Sequence, residues 1–101
     1  MVLDYNRVQA LGPSKDVLDM EPLGVKVEAS HWTYKEVDGH DVEAVDSALE
    51  TLPFTAGQPS WLTAHTVKGK GVSWMEDTVS CHYGSVTDDE LAKALAEIGA
   101  E

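Results

Sequence analysis

Apolar side chains recur in the middle of the chain with the spacing of a helix that packs by one face. The steps between them are three, four and three residues, and the positions are Val42, Val45, Leu49 and Leu52. Asp41, directly before this run, is a suitable N-cap, and Pro53 with Gly57 is expected to end the helix. The pattern therefore predicts an amphipathic helix that begins after Asp41.

A second periodic stretch lies near the carboxyl terminus. Thr87 and Glu90 have the spacing of a capping box, in which hydroxyl and carboxylate satisfy each other's backbone donors. The apolar residues that follow share one helical face: Leu91, Leu95 and Ile98. Gly99 is expected to end this helix.

Shorter apolar runs predict strands between these helices. The predicted strands are a strand that ends near Leu3, residues 33–37 and residues 60–67. Pro22 is expected to open a further helix over residues 21–30, and residues 72–85 are expected to be irregular. The order is strand, helix, strand, helix, strand, long loop, helix. This alternation predicts an α/β fold, a parallel sheet with flanking helices and right-handed crossovers.

Ligands of open parallel sheets bind beyond the carboxyl ends of the strands. Two loops of the predicted fold lie there, residues 4–12 and residues 68–84. Candidate binding and catalytic residues are therefore expected in these two loops.

Composition and charge exclude several classes of protein. The 101 residues are enough for one small domain, and the hydrophobic share of 43% is that of a globular chain. Seven Lys and Arg against 18 Asp and Glu give a net charge of −11, which repels nucleic acid and anionic lipid. No apolar run approaches the roughly 20 residues that span a bilayer, and the first residues lack the pattern of a signal peptide.

Cys81 is the only cysteine, which excludes an internal disulfide and favours a reducing, cytoplasmic location. The pair Cys81 and His82 does not support zinc, because there is no second cysteine. No base is placed beside Cys81 by a known motif, so a nucleophilic role is not supported either. His65 alternates within a predicted strand and is expected to be a buried, hydrogen-bonded core residue.

The first loop offers oxygen ligands for a cation. Asn6 has a side-chain carbonyl oxygen, and the backbone carbonyl of Val8 lies two residues further on. Magnesium takes oxygen ligands at about 2.0–2.1 Å and shares its shell with phosphate oxygens. An asparagine at this position is also typical of a simple turn, so the spacing alone leaves both interpretations open.

The second loop offers groups for a phosphate. Lys68 and Lys70 are a close basic pair in an acidic chain, and the glycines beside them let the backbone approach a ligand. His82 follows in the same loop, and an imidazole can donate to a phosphate or exchange a proton. A glycine turn with two solvated lysines and a structural histidine are the alternative interpretations.

Four segments, taken together, resemble one known family. They are residues 4–9 (DYNRVQ) with Gly12 and Pro13, residues 20–23 (MEPL), residues 36–41 (EVDGHD) and residues 64–76 (AHTVKGKGVSWME). Their sequence, order and spacing resemble the amino-terminal half of bacterial split transketolases. The resemblance covers nearly the whole chain, from Val2 to near Ile98.

The resemblance implies a thiamine diphosphate cofactor with a divalent metal, Mg²⁺ or Ca²⁺. By resemblance, Asn6 is a side-chain metal ligand and Val8 offers its backbone carbonyl to the same metal. His82 falls where the family places a histidine that faces the diphosphate and the substrate, so it is the expected catalytic residue as well as a cofactor contact. Lys68 falls close to the same site and is the further expected cofactor contact.

The resemblance also implies that parts of the enzyme lie outside these residues. The family has a Gly-Asp-Gly segment before the DYNR motif, and a pyrimidine-binding domain whose glutamate activates the cofactor. Residues 1–101 then correspond to a single partial domain, the C-terminal part of a diphosphate-binding domain. The chain also begins inside a predicted strand, which suggests a fold that continues elsewhere.

Three hypotheses follow from the resemblance. The first is a subunit of a transketolase-like transferase that moves a two-carbon ketol unit from a sugar phosphate or related ketose, completed by other subunits and inactive alone. The second is a non-catalytic interaction or structural module derived from a transketolase. The third is a segment of a longer protein.

Overall fold

The computed structural model describes residues 1–99, which form two compact units. The sheet unit contains Met1–Asn6 and Leu18–Thr66, and the loop unit contains Arg7–Val17 and the chain from Val67 onward. The prediction of a single partial domain over residues 1–101 stays a prediction.

Five strands, four α-helices and one 3₁₀ helix make up the described residues. Along the chain they are β1 (Val2–Tyr5), β2 (Val8–Gln9), β3 (Gly12–Pro13), α1 (Ser14–Val17), α2 (Leu23–Ala29), β4 (Thr33–Asp38), α3 (Val42–Glu50), β5 (Ser60–His65), the 3₁₀ helix (Val79–His82) and α4 (Asp88–Ile98). No helix within residues 1–99 is long and apolar enough to cross a bilayer.

The sheet unit is built on a three-stranded parallel sheet in the order β1-β5-β4. The central strand β5 aligns His65 with Tyr5 of β1 on one side and with Asp38 of β4 on the other. The carboxyl ends of all three strands therefore lie at one edge of the sheet. The predicted α/β fold with a parallel sheet and flanking helices is confirmed.

The core of the sheet unit lies on β5 and under α2. Leu62 is 1% exposed and Thr63 is fully buried, and Leu23 and Val27 of α2 are buried as well. Trp61 Nε1 donates a hydrogen bond of 3.0 Å to Thr63 Oγ1, so the buried hydroxyl is satisfied within the sheet. Strand β5 and helix α2 thus share the buried apolar side chains of this unit.

Close packing explains a glycine inside α2, where glycine is intrinsically unfavourable. A Cβ added at Gly24 would lie 2.8 Å from Cε1 of Tyr34, on β4. The helix begins at Leu23, two residues after the predicted start, and Pro22 is its N-cap. Glu21 accepts a hydrogen bond of 3.0 Å from the Leu23 N–H, which satisfies one of the donors at the helix start.

The helix after Asp41 forms as predicted. The Asp41 side chain accepts from the Ala44 N–H at 3.0 Å, and α3 ends at Glu50, two residues before the last apolar position of the pattern. None of its nine residues is buried. Strand β5 ends at His65, two residues earlier than predicted.

The loop unit is held by short elements and by α4. The antiparallel pair β2–β3 and the one-turn helix α1 lie in a stretch that was expected to be loop and turn, and β1 continues to Tyr5, past the expected strand end. Elements of two to four residues are too short to show a periodic pattern of apolar side chains. The prediction of loop and turn for this stretch was therefore wrong. The irregular stretch likewise contains the 3₁₀ helix.

Helix α4 has the predicted ends. Thr87 and Glu90 form the full capping box, and Gly99 closes the helix in the left-handed conformation with φ 70°. Glu97 accepts hydrogen bonds from the backbone N–H and the hydroxyl of Ser73, which ties α4 to the glycine loop, residues 68–76. These bonds, the backbone one first, lower the pKa of the Glu97 carboxyl.

Replacing the central core side chain tests the role of β5. We expect Leu62→Ala to lower the free energy of unfolding by about 2–5 kcal/mol, because a buried leucine loses its contacts and leaves a cavity. Leu18→Ala is the matched control, since Leu18 is 67% exposed. Denaturant unfolding followed by circular dichroism measures both, and equal losses would contradict the assigned core.

Removing the cap of α4 tests the pH dependence of the loop unit. Hydrogen bonds from Thr87, first the backbone one, lower the pKa of Glu90 below its ordinary value of 4.5. The stabilisation is therefore full above that value and is lost as pH falls through the lowered pKa. We expect Thr87→Ala to cost about 1 kcal/mol at neutral pH and less in acid. Thermal unfolding at both pH values measures this, with exposed Thr55→Ala as control; a pH-independent loss would contradict it.

Candidate functional site

Asn6 directly follows β1 at the carboxyl edge of the sheet, and the strand end before it is held in place. The Tyr5 hydroxyl donates to Glu21 Oε1 at 2.7 Å, and the Thr66 N–H donates to the Tyr5 carbonyl at 3.4 Å. The Thr66 hydroxyl also bonds the carboxylate of Asp4. The backbone that leads to Asn6 is therefore fixed to the start of α2 and to the end of β5.

His65 lies at the same edge, in a group of polar side chains on β4 and β5. Its Nε2 is 3.1 Å from Glu36 Oε2, and the other oxygen of Glu36 accepts from the Tyr34 hydroxyl at 2.6 Å. Burial raises the pKa of Tyr34 above its ordinary value, and the bond to Glu36 adds to the effect. His65 is hydrogen-bonded as expected, but its side chain is 33% exposed, so the expected core position was wrong.

Gly39 makes the tight turn that follows β4. Its N–H donates to the His65 carbonyl at 2.7 Å. A Cβ at this position would lie 2.5 Å from Cγ2 of Thr66 and 3.1 Å from Cβ of Ala64. Only glycine lets the turn pack this closely against the end of β5, which keeps the edge of the sheet compact.

In the loop unit, Arg7 and the pairing of β2 with β3 fix the backbone on either side of Val8. Arg7 has a positive φ of 61°, and its carbonyl accepts from the Ser14 N–H at 2.8 Å. Val8 lies opposite Pro13 in the antiparallel pair.

The loop unit also brings together two segments that are distant in sequence. Strand β2 lies against the 3₁₀ helix, whose last residue is His82. The Tyr83 hydroxyl donates to the Ala10 carbonyl at 2.7 Å, which fixes the two segments to each other. The His82 side chain is exposed, and its ring centroid is 6.3 Å from that of Tyr83. Val8 and His82 thus belong to one small assembly of loops.

The two lysines of the glycine loop have different surroundings. Glu76 Oε1 accepts from the Gly71 N–H at 3.1 Å and lies 3.7 Å from Lys70 Nζ, so an internal carboxylate occupies the surroundings of that lysine. The Lys68 carbonyl accepts from the Asp77 N–H at 2.9 Å, and its side chain is half-buried. The loop therefore fixes the backbone of Lys68. Within residues 1–99, the Lys68 ammonium forms no ion pair.

The tight shape of this loop depends on Gly69. Gly69 has φ 75°, and a Cβ there would lie 2.5 Å from the carbonyl oxygen of Met75. A side chain is excluded both by the backbone conformation and by this contact. The glycine places Lys68 and the segment before the 3₁₀ helix side by side.

Cys81, in the 3₁₀ helix, uses its thiol for contacts with nearby residues of the loop unit. Its Sγ is 2.8 Å from Thr78 Oγ1 and 3.4 Å from the Met75 carbonyl. In the part of the chain that the structure describes, no three His, Cys, Asp or Glu side chains are grouped so that they could hold a metal ion.

The structure assigns the predicted site residues to both units. Val8, Lys68 and His82 belong to the loop unit, and Asn6 ends the first segment of the sheet unit. Sequence reasoning missed the residues that support them, above all Glu21, which binds Tyr5, and Glu76, which pairs with Lys70. No spacing rule marks these two carboxylates, since their partners are 16 and 6 residues away.

Comparison with known proteins agrees with the fold. The family model described as transketolase, thiamine diphosphate binding domain, matches residues 1–101. A transketolase crystal structure from Campylobacter jejuni superposes with a TM-score of 0.87 at 23% identity, over 99% of this chain and 16% of that one. This structural likeness supports the same α/β fold.

Relatives with more similar sequences carry the names of transketolase subunits. The 6-deoxy-6-sulfo-D-fructose transketolase subunit of a Clostridium species is 34% identical over 97% of this chain and 36% of its own length. An apulose-4-phosphate transketolase subunit of Phocaeicola vulgatus is 31% identical over 96% of this chain and 34% of its own length.

The chain spans about a third of the length of these two relatives. The family match covers every residue of the chain, and it agrees with the resemblance seen in the DYNR, EVDGHD and HTVKGKG segments. The chain therefore belongs to the transketolase family of thiamine diphosphate binding domains.

Proposed function

We propose that this chain is part of a transketolase-type transferase that moves a two-carbon ketol unit between sugar phosphates or related ketoses and aldehydes. Its part is to hold a divalent cation and the diphosphate of thiamine diphosphate. The single observation that carries the proposal is the family match over all 101 residues. The positions of Asn6 after β1 and of His82 beside β2 support it.

The donor set fits a hard divalent cation. Asn6 would supply its side-chain oxygen and Val8 its backbone carbonyl, and such oxygen ligands suit Mg²⁺ or Ca²⁺. One feature of the structure supports these roles: Tyr5, the residue before Asn6, is hydrogen-bonded to Glu21, which fixes the backbone next to Asn6.

The diphosphate would meet positively charged and hydrogen-bonding groups of the loop unit. Lys68 would provide an ammonium and His82 a ring nitrogen that donates to a phosphate oxygen. The pairing of Lys70 with Glu76 supports Lys68 as the lysine that takes this role, since its neighbour already has an anionic partner.

Thiamine diphosphate supplies the electron sink that cleavage and formation of the ketol carbon–carbon bond require. The residues of this chain bind and orient it: Asn6 and Val8 through the cation, Lys68 through charge. His82 would also hold or move a proton at a hydroxyl of the sugar, for which an exposed imidazole is suited.

Other polypeptide segments would complete the site. The Gly-Asp-Gly segment that carries a carboxylate ligand and the pyrimidine-binding domain with its glutamate would come from other transketolase-like subunits or from further residues of the same protein. The subunit names of the two relatives support an assembly of several chains. The alternative, a module without catalytic function, is separated from this proposal by the experiments that follow.

The first experiment measures thiamine diphosphate binding calorimetrically in mixtures of this chain with candidate complementary chains and Mg²⁺. We expect binding only in a complementing mixture, because the proposed cation site needs ligands from both partners. Failure of every mixture to bind the cofactor would contradict the proposal.

In a binding mixture, His82→Ala is expected to lower kcat about 100-fold, the usual share of a proton-transferring group. When Mg²⁺ is limiting, we expect Asn6→Ala to weaken cofactor binding about tenfold. Excess Mg²⁺ should restore part of the lost affinity. Steady-state kinetics and calorimetry measure the two effects. Unchanged turnover and affinity in both variants would favour the non-catalytic module.

The two lysines of the glycine loop form a matched pair for a further test. We expect Lys68→Ala to weaken thiamine diphosphate binding about tenfold or more, because a charge-assisted hydrogen bond to the diphosphate is lost. Lys70→Ala should change the affinity much less, since Lys70 pairs with Glu76. Calorimetry at two salt concentrations measures both, and a larger loss for Lys70→Ala would reverse the assignment.

A further inference from the structure

The sheet unit contains an open pocket of about 250 Å³ that the proposed cofactor chemistry does not use. Three residues in and just after α2 line one part of it, Lys26, Val27 and Ser30. Two tryptophans line the rest: Trp32, which precedes β4, and Trp61, the second residue of β5. All five residues belong to the same compact unit.

The tryptophans give the pocket an aromatic wall of defined shape. Their ring centroids are 6.0 Å apart and the ring planes meet at 73°, an edge-to-face pair. The indole N–H of Trp61 already donates to Thr63 within the sheet. The surface that Trp61 offers to the pocket is therefore its apolar ring, and an aromatic ring would find both a face and an edge to pack against.

The charges around the pocket select against ionised ligands. Lys26 is the one charged residue in the lining, and its ammonium donates to the carbonyls of Met20 at 2.8 Å and Glu21 at 3.1 Å. It repels a cation, while two of its three N–H groups are already used by the backbone. The other four lining residues carry no charge, so an ionised ligand would lose hydration there without gaining a full partner. A neutral ligand meets neither penalty.

The volume sets the size of the ligand. An apolar cavity of about 150 Å³ in another protein holds one benzene ring. The present pocket is larger, so it has room for two fused rings. We propose that it binds a small neutral bicyclic aromatic molecule of about the size of indole. Its lining includes none of Asn6, Val8, Lys68 and His82, and the proposal does not depend on the proposed transferase function.

Titration of the full chain with indole tests the site. The side-chain N–H signals of the tryptophans are followed by ¹H–¹⁵N NMR, with Trp74 of the loop unit as an internal reference. We expect saturable shifts of the Trp32 and Trp61 signals with a Kd of about 1 mM or below, as a ligand of this size allows. Absence of saturable shifts, or equal shifts at Trp74, would overturn the proposal.

Two matched variants locate the binding without touching the sheet. Ser30→Leu puts a larger side chain at the pocket wall from an exposed position, and we expect the Kd for indole to rise about tenfold or more. Ser47→Leu makes the same change at an exposed position of α3 and should leave the Kd unchanged. Equal affinities in the two variants would show that indole binds elsewhere and would refute the assignment.

The charge argument has its own test. Indole-3-acetate and tryptamine carry the same bicyclic ring with one negative and one positive charge at neutral pH. We expect both to bind more weakly than indole in the same titration, by at least about threefold, because tryptamine meets the ammonium of Lys26 and both ions lose hydration in a lining that is otherwise uncharged. Equal or tighter binding of either ion would contradict a site for neutral ligands.

Discussion

The parallel pairing of β5 with both β1 and β4 is the interaction on which the rest of the structure depends. It buries Leu62 and Thr63, the most enclosed side chains among the described residues, and it brings the ends of three strands to one edge. The other buried apolar side chains of the described residues are Ala64, also on β5, Leu23 and Val27 of α2, and Val72 of the loop unit. Helices α3 and α4 have no buried residue, so the buried side chains of the sheet unit lie on its strands and on α2.

Polar contacts stabilise the carboxyl edge of the sheet. Glu21 links the start of α2 to the last residue of β1, directly before Asn6, while Gly39 lets the turn after β4 pack against the end of β5. In the loop unit, the bond from Tyr83 to Ala10 joins the segment of His82 to that of Val8. Contacts that take no part in the proposed chemistry thus hold the segments of Asn6, Val8 and His82 in position.

The sequence predicts the long elements well because their signals are periodic or chemically specific. The apolar steps after Asp41 and the capping box at Thr87 identify α3 and α4, since each uses a local rule that the fold obeys. The alternation of strands and helices likewise predicts the parallel sheet. The short pair β2–β3 escapes prediction because two residues show no period.

The candidate site is predictable only through whole motifs. Asn6, Lys68 and His82 stand out because they lie in segments that resemble one family, while spacing alone leaves turn and solvent roles open. The supporting carboxylates cannot be found in this way. Glu76 near Lys70 and Glu36 beside His65 are identified by contacts that the fold creates. The same holds for Gly24, whose need for a small side chain comes from Tyr34.

The central claim is that Asn6 and the carbonyl of Val8 share one divalent cation with the cofactor diphosphate. A crystal structure of the complemented assembly, grown with thiamine diphosphate and Mn²⁺ in place of Mg²⁺, tests it by anomalous scattering. We expect a peak within ligand distance of Asn6 Oδ1 and Val8 O, about 2–2.3 Å, and next to the diphosphate oxygens. A cation bound to the diphosphate with both of these oxygens turned away from it would contradict the shared site.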